Sequence, residues 1–297
     1  MERKKLVIIL IIIICIIGIV SLIVWKNLNK SETQNDNTTK IVTSFYPMYI
    51  IAENITDGAE NVELENMADV NVGCLHDYTL TTEDMKKLEN ADIFITNGLG
   101  MESFIDKAIT SNQEMKIIDS STNIQNLISD EDETNAHLWT SIEKYITQVE
   151  NVAEGLKANN PENAEIYEKN ANQYIEELKQ LRERYLSELE GLKGKKAICL
   201  NEAFEYMGQE LGLEMTTVET DHEESTMSAE MLRSIIDEAK AENIEMIIID
   251  KNDNKANAET IANETGAAIY ELNSGLSGSM DKDAYINAME ENLQLLK

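Results

Sequence analysis

"NPENAEIYEKNANQYIEELKQLRERYLSELEGLKGK", residues 160–195, reads as one long helix set between two stretches of a different kind. Asn160 can cap it, Pro161 suits a first helical turn, and Gly191 or Gly194 can end it. Ala171, Tyr174, Leu178, Leu181, Tyr185 and Leu189 recur at spacings of three and four, which makes a single apolar stripe opposite a face of Glu and Lys/Arg. About thirty helical residues at about 1.5 Å each span roughly 45 Å, enough to run along two lobes. A coiled coil fits less well, because only about four heptads are present and Tyr holds two stripe positions.

On both sides of this helix the periodicity changes. Upstream, the β-rich runs IVTSF (41–45), NVELE (61–65), ADIFITN (91–97) and KIIDS (116–120) alternate with helical stretches near 48–56, 82–89 and 101–110. Downstream, KKAICLN (195–201), EMTTVE (214–219), EMIIID (245–250) and AAIYELN (267–273) alternate with helical stretches near 202–211, 228–242, 255–265 and 282–296. Strand–helix alternation implies a mainly parallel sheet. The expected fold is therefore α/β: two lobes, each with a mainly parallel four-stranded sheet, joined by the long linker helix, with a ligand cleft between them. A chain of 297 residues suits two lobes better than one core. The expected boundaries are 41–158 for the N-terminal lobe, 159–193 for the linker helix and 194–297 for the C-terminal lobe.

Ahead of the lobes, "LVIILIIIICIIGIVSLIVW", Leu6 to Trp25, has 20 residues and no charge, enough to cross a bilayer as a helix. Residues 1–30 read as a membrane anchor. A cleaved signal peptide would have a shorter apolar region ending in small residues, and none precede Lys26. Arg3, Lys4 and Lys5 outweigh Lys26 and Lys30 slightly, which favours a cytoplasmic N-terminus and a soluble domain outside the cell. Cys15 follows Ile12, Ile13 and Ile14 where a lipid-processing enzyme needs small residues, so it reads as an apolar membrane residue. "SETQNDNTTK", residues 31–40, reads as a flexible tether.

Residues 1–30 hold five Lys/Arg and one Glu of the chain's 25 basic and 55 acidic side chains. The remainder keeps 20 and 54, a net charge of −34. Such a field repels nucleic acid and anionic lipid and concentrates cations. Solubility alone is its plainer meaning. Cys74 and Cys199 are the only thiols beyond the anchor, too few for a disulfide framework.

Ligands of open α/β sheets bind beyond the carboxyl ends of the strands. His76, in "NVGCLHDYTLTTEDM" (71–85), follows the second strand, with Tyr46 and Asn97 ending the first and third. His137, in "SDEDETNAHLW" (129–139), follows the fourth and precedes a helix. In the other lobe Asn201, Asp250 and Asn273 stand at strand ends. Taken singly, a loop His makes hydrogen bonds, Asn turns the chain and Asp caps a helix. Together they can line one cleft as metal ligands. His222, in "ETDHEEST" (219–226), reads as surface. An enzyme with Cys74 as nucleophile and His76 as base lacks an oxyanion donor cluster and an orienting third group. No catalysis is expected.

"TSFYPMYIIAENI" (43–55), "GCLHDYTLTTEDMKKLENADIFITNGLGME" (73–102), "NPENAEIYEKNANQYIEEL" (160–178) and "NEAFEYMGQELGL" (201–213) carry a resemblance. Over residues 41–297 the chain resembles the metal-binding solute-binding proteins of ABC transporters, the zinc and manganese receptor family that includes adhesin-type lipoproteins. The resemblance implies a rigid linker helix and a Zn²⁺ or Mn²⁺ site of three imidazoles and a carboxylate, or two of each. It also implies an ABC importer permease as partner, a monomer, no organic cofactor, and a link to cell adhesion. His76 matches the family's first histidine and His137 its second, before the tryptophan. The third ligand, His or Glu, falls on Asn201, and the fourth, Asp or Glu, on Asn273. Leu75 stands where the family has proline, and Cys74 replaces the residue before it.

The metal set implied for this chain is thus His76, His137, Asn201 and Asn273. Two neutral amides leave a divalent charge poorly balanced, so affinity falls. Amide oxygen suits Mn²⁺, Ca²⁺ or Mg²⁺, whereas a Cys74 thiolate would favour zinc. Glu202 and the 130–133 loop can supply charge. The expected function is an extracellular receptor for zinc or manganese feeding an ABC importer through a weakened site. The alternative is a membrane-anchored binding or sensing ectodomain that has lost metal transport.

Overall fold

A computed structural model describes residues 38–297 except 71, 73–74, 76–77, 103–104, 106–108, 110–111, 130–132 and 219–226. The anchor Leu6–Trp25, most of the tether, Cys74, His76 and His222 lie outside the described residues, as does much of the helix expected near 101–110. Among the described residues no helix is long and apolar enough to cross a membrane.

The first lobe runs β1 (Thr39–Thr43), α1 (Tyr46–Thr56), β2 (Val62–Asn66), α2 (Thr82–Glu89), β3 (Ile93–Thr96) and β4 (Lys116–Asp119). Two helices follow, α3 (Ile142–Asn159) and α4 (Ala164–Glu188). The second lobe runs β5 (Lys196–Cys199), α5 (Glu205–Leu211), β6 (Glu214–Thr217), α6 (Ala229–Glu242), β7 (Met246–Asp250), α7 (Ala256–Thr265), β8 (Ala268–Leu272) and α8 (Ala284–Leu296). Both sheets are parallel throughout, in the orders β2-β1-β3-β4 and β6-β5-β7-β8. The inner strands β3 (IFIT) and β7 (MIIID) are buried along their whole length, as continuous apolar runs covered on both faces should be. Local chemistry starts the elements. At α2, Thr81 Oγ1 accepts from Asp84 N at 3.2 Å and Asp84 Oδ2 accepts from Thr81 N at 2.8 Å, a reciprocal capping box.

One long helix, α4, connects the lobes, and α3 packs beside it from within the first lobe. α3 and α4, of 18 and 25 residues, form a hairpin whose corner is Asn160 and one 3-10 turn, Pro161–Asn163. Asn160 does not cap α4 with its side chain. Its backbone N–H ends α3 on Leu156 O at 2.8 Å, its Oδ1 accepts from Tyr167 Oη at 2.7 Å, and its Nδ2 donates to Thr39 Oγ1 at 2.9 Å. The corner is therefore pinned to β1. α4 spans about 37 Å at about 1.5 Å per residue, and the whole expected stripe from Ala171 to Leu189 is buried.

A continuous apolar core joins the lobes through α4. At its centre Tyr145 of α3 stacks on Tyr285 of α8, with centroids 3.7 Å apart, and meets Tyr174 of α4 edge-on at 6.2 Å. Tyr285 Oη donates to Trp139 O at 2.8 Å, and Trp139 Nε1 donates to Ser274 O at 2.8 Å. A smaller core of Ile198, Ile235, Ile247, Ile249 and Ile261 lies within the second lobe. Glu210 of α5 crosses to the first turn of α3, where its carboxylate accepts from Ser141 Oγ at 2.8 Å, Glu143 N at 3.2 Å and Arg182 Nε at 2.6 Å. Gly155 lets α3 lie close on β4, since a Cβ there would stand 2.6 Å from Ile118 Cγ2.

Candidate metal centre

His137 sits on the loop from β4 to α3 and is only 2 % exposed. The first lobe fixes that loop from behind. Asn97, just past β3, donates from Nδ2 to Ala136 O at 2.8 Å and accepts at Oδ1 from Gln148 Nε2 at 2.9 Å. Ser120, just past β4, accepts from the same Gln148 amide at 2.9 Å and donates to Asn97 O at 3.1 Å. Glu102 closes the network by accepting from Asn97 N at 2.7 Å and Gly98 N at 3.1 Å. Burial pushes its carboxyl up to about 7, outweighing the two N–H donors that favour the anion.

From the second lobe, Glu202 brings a carboxylate to His137, with Oε1 3.8 Å from Nδ1 and about one third of the side chain exposed. Asn135 bridges the lobes beside it. Its Oδ1 accepts from His137 N at 2.8 Å and stands 2.9 Å from His137 Nδ1. Its Nδ2 donates to Glu202 O at 3.0 Å and Glu205 Oε2 at 2.7 Å. Tyr206 Oη donates to Asn135 O at 2.7 Å and accepts from Ile128 N at 3.1 Å. Lys144 Nζ stands 5.0 Å from the Tyr206 ring centroid and donates to Gln125 O at 3.0 Å.

The two amides implied as ligands make structural bonds. Asn201 Oδ1 accepts from Ala203 N at 3.1 Å, capping the turn that follows β5, and its Nδ2 donates to Asp253 Oδ2 at 3.1 Å. Its carbonyl accepts from the Cys199 thiol, which burial pushes up to about 12. Asn273, buried after β8, accepts at Oδ1 from Gly275 N at 3.0 Å and donates from Nδ2 to Glu291 Oε2 at 3.2 Å. Asp250 likewise turns the chain, accepting from Asn252 N at 2.7 Å and Ser274 N at 3.1 Å.

Across the lobes, then, an imidazole and a carboxylate meet, groups of the kinds that surround zinc or manganese, with the carboxylate against Nδ1 of the ring. Among the described residues no three His, Cys, Asp or Glu groups gather closely enough to hold a metal by themselves, and His76 and Cys74 lie outside them. A surface pocket of about 270 Å³, lined by Lys40, Glu63, Glu65, Lys86 and Lys87 among others, shares no residue with this cluster. Asn135 and Glu205 join the cluster only through the fold. The legible signal for Asn135 was its place two residues before His137, the spacing of an Asx turn.

Residues 41–297 match the family described as zinc-uptake complex component A, periplasmic (ZnuA). Over 288 residues the chain is 28 % identical to the zinc-binding lipoprotein AdcA of Streptococcus pneumoniae (strain ATCC BAA-255 / R6), covering 90 % of this chain and 57 % of AdcA. It thus spans little more than half the length of that relative. It is also 28 % identical over 277 residues to the high-affinity zinc uptake system protein ZnuA of Bacillus subtilis (strain 168), covering 86 % of each. The SBP FpvC of Pseudomonas aeruginosa, solved in complex with Mn²⁺, superposes with a TM-score of 0.77 at 27 % identity, over 87 % of this chain and 96 % of FpvC.

Proposed function

The chain belongs to the family of zinc-uptake complex component A proteins, and from that membership we propose that it is a surface receptor that captures zinc or manganese between its lobes and passes it to an ABC importer. The family consists of metal-binding receptors and not enzymes, so the chemistry is capture and release. The observation that carries the reading is the meeting of buried His137 from one lobe with Glu202 from the other, 3.8 Å apart.

His137 and His76 serve as the imidazole ligands, and Asn201 and Asn273 as weak donors or holders of water. Glu202 supplies the negative charge that the two amides lack. Calorimetric titration of the chain with Zn²⁺ and Mn²⁺ tests this: binding is expected, and an absence of heat at millimolar metal would sink it. Glu202→Gln should weaken zinc by tenfold or more, about 1.4 kcal/mol per tenfold, because it removes a negative charge facing the ring of a metal-binding histidine.

Tethering through Leu6–Trp25 is part of the proposal. The AdcA relative is named a lipoprotein, and a lipid on Cys15 is the competing device. The intact mass of the membrane-extracted chain separates them, since the proposal requires residues 1–30 to be present and unmodified.

A second reading, an ectodomain that binds or senses without transport, is favoured by the bonds of Asn201 to Asp253 and of Asn273 to Glu291. Loss of metal uptake in cells carrying His76→Ala or His137→Ala would exclude it.

A further inference from the structure

Asn135 is bound at every polar group. Its N–H donates to Ile128 O at 2.9 Å and its carbonyl accepts from Tyr206. Its Nδ2 faces the Glu205 carboxylate and the Glu202 carbonyl, neither of which has a proton to give. The amino end of the amide must therefore face the second lobe, and Oδ1 must face His137. That oxygen is an acceptor only, 2.9 Å from His137 Nδ1. At this distance the ring nitrogen has to donate, because two lone pairs would repel. The Glu202 carboxylate, 3.8 Å from the same nitrogen, pulls the proton to the same place.

We propose that Asn135 is a positioning residue, locked by Glu205, Glu202 and Tyr206 of the second lobe, that holds His137 as its Nδ1–H tautomer with the lone pair on Nε2. A metal-binding histidine needs its other ring N–H tied to an acceptor, which fixes the tautomer and the ring plane. Here the acceptor's orientation is fixed at its oxygen by the backbone N–H of His137 and at its amino end by the opposite lobe. The metal donor of one lobe is thus set before any ion arrives, with the other lobe as one of its two anchors. The value of the lock for capture rests on the reading of His137 as a metal ligand; the lock itself does not.

The experiment labels the three histidines of the full chain with ¹⁵N in detergent and reads their tautomers at pH 8 without metal, assigning them with His76→Gln and His222→Gln. The expected result is a protonated Nδ1 and an unprotonated Nε2 for His137. Asn135→Leu, similar in shape but without an acceptor, should move His137 toward the Nε2–H form and weaken zinc by about tenfold to a hundredfold. Asn135→Asp sets two carboxylates against each other, whereas Asn135→Asp with Glu205→Gln exchanges donor and acceptor across the same contact. The pair should regain the tautomer and most of the zinc affinity lost in the single variant.

An Nε2–H form in the parent overturns the proposal. So does an Asn135→Leu chain that keeps both the Nδ1–H form and the parent's zinc affinity. If Asn135→Leu does not fold, the comparison of Asn135→Asp with the pair decides, and a pair no better than the single variant overturns it. A parent with the Nδ1–H form that takes up no zinc supports the lock and sinks the receptor reading.

Discussion

Glu102 is an acid held where its charge is costly. Its carboxyl lies near 7 when folded, against an ordinary value of 4.5, with burial as the main cause. The folded chain therefore keeps a proton between about pH 4.5 and 7 that the unfolded chain has released. Stability from this group is fully present below that window and falls as pH rises through it, by up to about 1.4 kcal/mol per unit. Urea unfolding at pH 5 and pH 7.5 should show a smaller drop for Glu102→Gln than for the parent, and equal drops would refute the assignment. Sequence alone exposed His137 and the strand-end amides, because their positions past β-rich runs are visible in the chain. It did not expose Glu102 or Asn135, whose meaning comes from partners as far away as Glu205. The same distance hid what Asn201 and Asn273 do, since Asp253 and Glu291 reach them only in the fold.

Among the elements, the eight strands of the described residues were legible because β-rich runs bounded by turn residues leave little choice, and α2 because its Thr-Thr-Glu-Asp start is a cap in itself. α3 was not. Its buried Ile142, Tyr145, Val149, Val152 and Leu156 repeat at helical spacing, but alternation of strand and helix offers no slot for two helices in succession. Asn160 and Pro161 do open the long helix, and the fold adds that they are also the corner it makes with α3. Packing across this hairpin makes two expectations. Gly155→Ala adds helix propensity worth about 1 kcal/mol, yet its methyl meets buried Ile118 at 2.6 Å. Overpacking of about 1–3 kcal/mol should prevail, and a rise in melting temperature would show that α3 lifts off β4 freely. Glu210→Ala leaves Arg182, Ser141 and the first turn of α3 without their shared acceptor. It should cost about 1.5–3 kcal/mol in chemical denaturation, as for hydrogen bonds to a charged group.

For the whole molecule, the net charge of −34 beyond residue 30 sets self-repulsion against compactness. Salt screens that repulsion over about 10 Å at 0.1 M, so the melting temperature should climb between 20 mM and 500 mM NaCl, and a fall would show that ion pairs such as Lys40–Glu63 dominate. Two parallel lobes could be foreseen from the repeated alternation, but not the strand order within each sheet, which depends on crossovers that composition does not encode. Nor could the sequence show that the lobes share one core. That shared core has a consequence for how the chain is made. Tyr285 and Ser274 complete the surroundings of Trp139 and Tyr145 from some 130 to 150 residues downstream. At about 5–20 residues per second, a growing chain waits about 7–30 s with those aromatic faces bare. A chain stopped at Lys282, before α8 exists, should stay bound to chaperones and be degraded within minutes in a pulse-chase experiment, while the full chain persists.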